Sequence, residues 1–196
     1  MPNLYVIAGA NGSGKTTIAK TLLPSYFNCS EFVNADIAAA EMAPKDVASV
    51  AITAGRMTLC LINRLFDAQV PFAIETTLSG RVHEKIFRKA RQRGYYVTLL
   101  YVWVESPRIS VKRVTNRVRL GGHPVRDEDV IRRFKRGLVN LFNVYMDICD
   151  YWVVLDNTEP PQKLVAEGIG RIEFNIMNDE IWSKVQTAYN NYGAVA

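Results

Sequence analysis

Two textures of apolar residues alternate along the chain: short, nearly unbroken apolar runs, and longer stretches with apolar positions three or four apart. The runs at Leu4–Ala8, Glu31–Asn34, Pro71–Ile74, Tyr95–Val104 and Tyr151–Leu155 predict five strands. Helical spacing between them predicts helices over about Lys15–Leu23, Asp46–Ala68, Ser79 or Gly80 to Arg93, Pro107–Arg119 and Asp127–Met146. In the second of these, Val47, Val50, Ala51, Ala54, Met57, Leu61 and Leu65 are expected to form one core face. Punctuation agrees: Ser106 is expected as an N-cap before Pro107, Gly94 and Gly121-Gly122-His123-Pro124 stop helices, and Asp127-Glu128-Asp129 place acid in a first turn. Beyond Pro160, Gly168-Ile169-Gly170 reads as a turn between short strands and Asp179–Tyr189 as a last helix. Strands separated by helices imply an α/β fold of three layers on a five-stranded parallel sheet, one domain over residues 1–196. Ligands of such a sheet sit at the carboxyl ends of its strands. That rim gathers the loop after the first strand, Asp36, Glu75, Glu105 and Asp156-Asn157.

The loop after the first strand carries the chemistry. Gly9-Ala10-Asn11-Gly12-Ser13-Gly14-Lys15-Thr16 is G-x-x-x-x-G-K-[ST], a phosphate-binding loop, and Thr17 follows it. Its glycines let successive N–H groups turn onto one anion, and the next helix adds the positive end of its dipole. Lys15 is placed to reach the outer phosphates and Thr16 to offer its hydroxyl to Mg²⁺. The loop predicts binding of ATP or GTP with Mg²⁺, and base recognition falls to residues around Asn157.

Composition narrows the setting. Hydrophobic content of 48% and charged content of 22% are those of an ordinary globular protein. No apolar run approaches the roughly 20 residues of a membrane span, and the first apolar run lacks the flanks of a leader, so a cytoplasmic protein is expected. Cys29, Cys60 and Cys149 form no CxxC and read as buried thiols. The net charge of +5 suits anionic ligands.

Asp36, just past the second strand, is placed to take a proton from an acceptor hydroxyl in line with the γ-phosphate. A local role stands beside it: Asn34 or Asp36 would cap the helical turn 37–41. Glu75, followed by Thr76 and Thr77, would hold Mg²⁺ through water or grip a substrate hydroxyl; an ordinary strand-end acid is the alternative. Between Ser106 and Arg136 stand ten Lys or Arg against three acids, interrupted by Gly121-Gly122. The segment resembles a kinase lid whose guanidinium groups close on the transferring phosphate, against the alternative of a solvated basic face. The second basic cluster, Arg81 to Arg93, reads as solvated surface, and His83 and His123 lack metal-ligand spacing.

Taken together, GANGSGKTT at 9–17, NAD at 34–36, ETT at 75–77, GYxV at 94–97, the Arg-rich GGH segment, RRF at 132–134 and DN at 156–157 resemble the zeta toxin family. The likeness is greatest to that family's compact branch, often labelled predicted ATPase. It covers Leu4 to Asn157. It implies a nucleoside-monophosphate-kinase-like fold and transfer of a γ-phosphate to a hydroxyl of the amino sugar in UDP-N-acetylglucosamine. It implies a general base at Asp36, a sugar-nucleotide-binding acid at Glu75, and phosphate-binding arginines at Arg117 and Arg126, with Arg113 and Arg133 as rivals. The expected lid spans about 113–133. Any antitoxin is expected to be a separate protein.

A different class of function competes: a nucleic-acid-directed kinase, or an NTP-dependent nucleic-acid binder. The basic helices motivate it, and the placement of aromatics in apolar strands counts against a stacking platform.

Overall fold

A computed structural model describes residues 1–44 and 46–194; residues 45, 195 and 196, which the expected 1–196 unit takes in, lie outside it. Among the described residues, seven strands form one sheet: β1 (Asn3–Gly9), β2 (Glu31–Val33), β3 (Phe72–Thr76), β4 (Tyr96–Trp103), β5 (Tyr151–Asp156), β6 (Lys163–Ile169) and β7 (Glu173–Ile176). Their order is β2-β3-β1-β4-β5-β6-β7. The five expected strands are the parallel block β2-β3-β1-β4-β5. The short strands expected around Gly168-Ile169-Gly170 are β6 and β7, and they join the same sheet, which has seven strands where five are expected. The links after β5 and β6 are too short for a crossover, so β6 runs antiparallel to β5 and β7 antiparallel to β6.

The central strands are buried on both faces, as an unbroken apolar run requires. Alternation along β1 sends Leu4, Val6 and Ala8 to one face and Tyr5 and Ile7 to the other. The second face is covered by α1 (Lys15–Ser25) through Ile18, Ala19 and Leu23. The first is covered by α3 (Val47–Ala68), α4 (Val82–Gln92), α6 (Asp127–Asn140), a π turn (Leu141–Tyr145), α7 (Met146–Ile148) and α8 (Asp179–Gly193). Two further helices, α2 (Ala35–Met42) and α5 (Pro107–Arg119), follow the carboxyl ends of β2 and β4. Truncating a fully buried strand residue such as Leu4 to alanine would cost about 2–5 kcal/mol.

Several local expectations are corrected. The core face of α3 is Ala54, Ile62, Leu65 and Phe66; Met57 is 56% and Leu61 41% exposed, and both line a groove against α2. Packing against α2 draws that side of the stripe off the sheet. Cys29 and Cys149 are buried as expected, but Cys60 lies exposed on the same groove. Ser106 precedes α5 without a side-chain capping bond, leaving Pro107 to set the helix start. The expected Asp127–Met146 helix contains the π turn, and the last helix extends past Tyr189 to Gly193.

Candidate active site

The phosphate-binding loop leaves β1 at Gly9 and enters α1 at Lys15. Gly12 and Gly14 have φ of 77° and 96°, where side chains are disfavoured. There is also no room for one. A Cβ on Gly12 would lie 2.6 Å from the carbonyl of Ser110, and one on Gly14 would strike Nδ2 of Asn157. Asn157 uses that nitrogen to donate to the carbonyl of Ser13 at 2.6 Å, so it braces the loop itself. Ser13 N donates to Ala10 O, closing a turn. The cap of α1 is Gly14, which contributes no side-chain bond, so first-turn N–H groups are left for an anion. Thr17, in that turn, is exposed at the mouth.

Lys15 is the electrostatic centre. It is only 6% exposed, and its ammonium donates to Ala10 O at 2.7 Å. Burial lowers its pKa; the carboxylates of Glu75 and Asp36 pull it back up, while Arg117 and Arg133 push it down. Two acids and two guanidinium groups therefore act on one buried lysine. Glu75 stands 3.8 Å from Lys15 Nζ and accepts from the Thr16 hydroxyl at 2.7 Å. It lies within β3, paired with Ile7 of β1, and that register sets it beside the phosphate loop. Asp36 reaches the field of Lys15 from the first turn of α2. The two candidates for its cap are resolved. Asn34 is the cap, accepting from the backbone N–H of Asp36 at 2.8 Å and of Ile37 at 3.2 Å. The Asp36 carboxylate is free of that duty and exposed.

The arginines divide. Arg133 Nη1 donates to Asn11 Oδ1 at 3.2 Å, reaching the phosphate loop from α6. Arg113 donates to the carbonyl of Thr158 at 2.9 Å, beside Asn157. Arg117 acts on Lys15 through space and donates to His123 O at 3.1 Å across the Gly121-Gly122 turn. Arg126 is 78% exposed and bonded to Asp129 within its own helix turn. Sequence reasoning ranked Arg133 behind Arg117 and Arg126. The signal for it lay in the spacing of Arg133, Gly137 and Asn140, which puts the three on one face of α6.

On the acid side, Thr76 is buried and its hydroxyl accepts from Leu78 N at 3.0 Å. It also shares a hydrogen bond with His83 Nδ1 at 3.2 Å. Burial holds His83 down to about 4, so the ring is neutral. The Thr77 and Ser79 hydroxyls share a hydrogen bond at 2.8 Å. Among the described residues no group of three or more His, Cys, Asp or Glu is set to chelate a metal. Mg²⁺ at Thr16, with Glu75 beyond a water, would complete its shell with phosphate and water oxygens, which suits that ion.

A family model described as Zeta toxin matches residues 1–147. An uncharacterized protein of Haemophilus influenzae is 30% identical over 129 residues, 64% of this chain and 88% of that protein. A chain in the crystal structure of AvrRxo1-ORF1:-ORF2 with ATP matches with a TM-score of 0.74 at 18% identity over 96% of this chain, which spans 64% of that chain's length. A structure of the PezAT chromosomal toxin-antitoxin system of the human pathogen Streptococcus pneumoniae matches with a TM-score of 0.68 at 16% identity, over 98% of this chain and 87% of that one. Both solved structures share this chain's fold, an α/β P-loop kinase-like one. No helix among the described residues is long and apolar enough to cross a membrane.

Proposed function

Since the chain belongs to the zeta toxin family, we propose that it is a Mg²⁺-dependent P-loop phosphotransferase that moves the γ-phosphoryl group of ATP or GTP to a hydroxyl of a small anionic acceptor, a UDP-sugar such as UDP-N-acetylglucosamine. The observation that carries this reading is the cluster at the phosphate loop: Glu75 stands 3.8 Å from the buried Lys15 ammonium and accepts from the Thr16 hydroxyl, and Arg133 reaches Asn11 from α6. A site that only gripped nucleotide would need the loop and the lysine. A second carboxylate, Asp36 in the first turn of α2 and free of capping duty, suits a proton acceptor.

In this reading residues 9–17 cradle the triphosphate with backbone N–H groups. Lys15 leaves Ala10 O to meet the outer phosphates. Thr16, bonded to Glu75 at 2.7 Å, would hold the metal directly, and Glu75 would hold it through water. When bound, Mg²⁺ supplies charge neutralisation on the β- and γ-phosphates. Asp36 accepts the proton of the attacking hydroxyl; the new bond joins that oxygen to the γ-phosphorus as the bond to the β–γ bridging oxygen breaks. Arg117 and Arg133, with Arg126 brought in by closure of a lid over about 113–133, match the equatorial oxygens and exclude water. Thr76 and Thr77 flank the acceptor beside Glu75. Asn157 keeps the loop in shape and borders the base. We place the whole in one P-loop kinase-like domain over 1–196, acting in the cytoplasm, with any antitoxin a separate protein. The PezAT likeness supports that partner.

The nucleic-acid reading gains little. On and just past α4, Arg88 pairs with Glu84, Arg91 with Asp150 and Arg93 with Asp67, so half of that six-residue basic cluster is ion-paired. The test is incubation with γ-labelled ATP or GTP, Mg²⁺ and a panel of UDP-sugars. The expected result is a labelled sugar nucleotide that requires all three. Nucleotide binding with no labelled product from any acceptor would reduce the protein to a binding module.

A further inference from the structure

One face of α6 touches both sides of the site. Arg133 reaches Asn11 in the phosphate loop. One turn on, Gly137 lies against the carbonyl of Thr77, so close that a Cβ there would overlap it. Next on the same face, Asn140 Nδ2 donates to Leu78 O at 2.7 Å. In an unbroken α-helix this face would continue at residue 144. The π turn is wider by one residue, and brings Tyr145 round instead. Its hydroxyl donates to Gly80 O at 2.9 Å. The loop thus gripped is under constraint: Leu78 is fully buried with φ of 52°, left-handed backbone that a leucine adopts only when its surroundings hold it there. Glu75 and Thr76 lead directly into it.

We infer that Asn140 is a positioning residue: it ties the Thr77–Gly80 loop to α6, and because Arg133 ties the same helix to Asn11, α6 couples the state of the phosphate loop to the acid-bearing end of β3. Nucleotide seated on the loop then orders the acceptor side through the helix, in addition to any direct path from Thr16 to Glu75. The nucleotide arm of this inference rests on the phosphotransferase reading; the tethering of the loop by Asn140 does not.

Hydrogen–deuterium exchange on the full chain separates the two. In the ligand-free protein, N140A and the near-isosteric N140D, which exchanges the donor for a carboxylate oxygen, should speed exchange of amides 77–81 at least tenfold. Amides of β1 and β4 should be unchanged, and N140Q, which keeps the donor, should recover part of the loss. Unchanged exchange at 77–81 in both variants overturns the tether. With Mg²⁺ and the non-transferable ATP analogue AMPPNP, the wild type should gain protection at 9–17 and at 77–81. N140A should keep the first and lose the second. Retention of both in N140A overturns the coupling. No protection at 9–17 in the wild type counts against the phosphotransferase reading instead, and the ligand-free comparison still decides the tether.

Discussion

The hydroxyl of Thr16 donates to the carboxylate of Glu75 at 2.7 Å. The residue pair that would share a metal is therefore joined between the first turn of α1 and the end of β3 before any nucleotide arrives. Lys15 at 3.8 Å completes a compact triad. Replacing Glu75 with glutamine keeps the shape and removes the charge that attracts a dication. The Mg²⁺ concentration at half-maximal binding of a fluorescent ATP analogue should rise about tenfold, or roughly 1.4 kcal/mol. A Mg²⁺ titration identical to the wild type would remove Glu75 from the metal's surroundings.

Asp36 and Asn34 stand two residues apart and do different things. Asn34 accepts the two N–H groups that open α2. Asp36→Asn should therefore leave the fold intact, costing at most about 1 kcal/mol of dipole interaction. Transfer to the acceptor should fall by roughly 10²–10⁴ while nucleotide affinity stays within about threefold. Asn34→Ala should cost about 1 kcal/mol in unfolding by loss of the cap. Rapid-quench transfer assays beside equilibrium nucleotide binding give the comparison; equal transfer by D36N and wild type would exclude Asp36 as the base.

Gly14 and Asn157 test the bracing of the loop. Gly14→Ala puts a side chain at φ of 96° and into Nδ2 of Asn157. The backbone cost is about 1–2 kcal/mol, and loss of the Asn157–Ser13 bond adds about 1 kcal/mol. Urea unfolding should show a total of about 2–3 kcal/mol. In an N157A background the same glycine change should cost less, since the obstacle is gone. Strict additivity of the two changes would mean the side chains do not meet.

Much of this arrangement is legible in the chain. The phosphate loop announces itself because its chemistry needs fixed residues at fixed spacing, and the flanking strand and helix follow from it. The parallel block is legible because strands buried on both faces leave unbroken apolar runs. Other features depend on partners distant in sequence. Met57 and Leu61 fit a helical stripe, yet α2 packs alongside and leaves them on a groove. The antiparallel turn-back of β6 and β7 follows from link length, which local pattern does not weigh. The contact of Arg133 with Asn11 depends on the helical register beyond Gly121-Gly122, which no motif announces. Asn140 carries no motif at all; its role appears only where the π turn meets the Thr77–Gly80 loop.

His83 gives the fold a pH dependence of its own. Its folded-state pKa is lowered from 6.5 to about 4 by burial, and its Nδ1 shares a hydrogen bond with the Thr76 hydroxyl. The unfolded chain then binds the proton more readily than the folded one between those values, so this group's contribution is complete above about pH 6.5 and is lost as pH falls toward 4. Part of the ring still meets solvent, so the loss is of order 2 kcal/mol rather than the full value of a wholly enclosed imidazole. His83→Gln removes the titration and keeps a polar partner near Thr76. Wild type and variant, unfolded in urea at pH 7 and at pH 4.5, should differ in how much stability each loses. The wild type should lose more by about that amount, with other groups cancelling in the comparison. Parallel losses would mean that His83 is protonated in the folded protein without penalty.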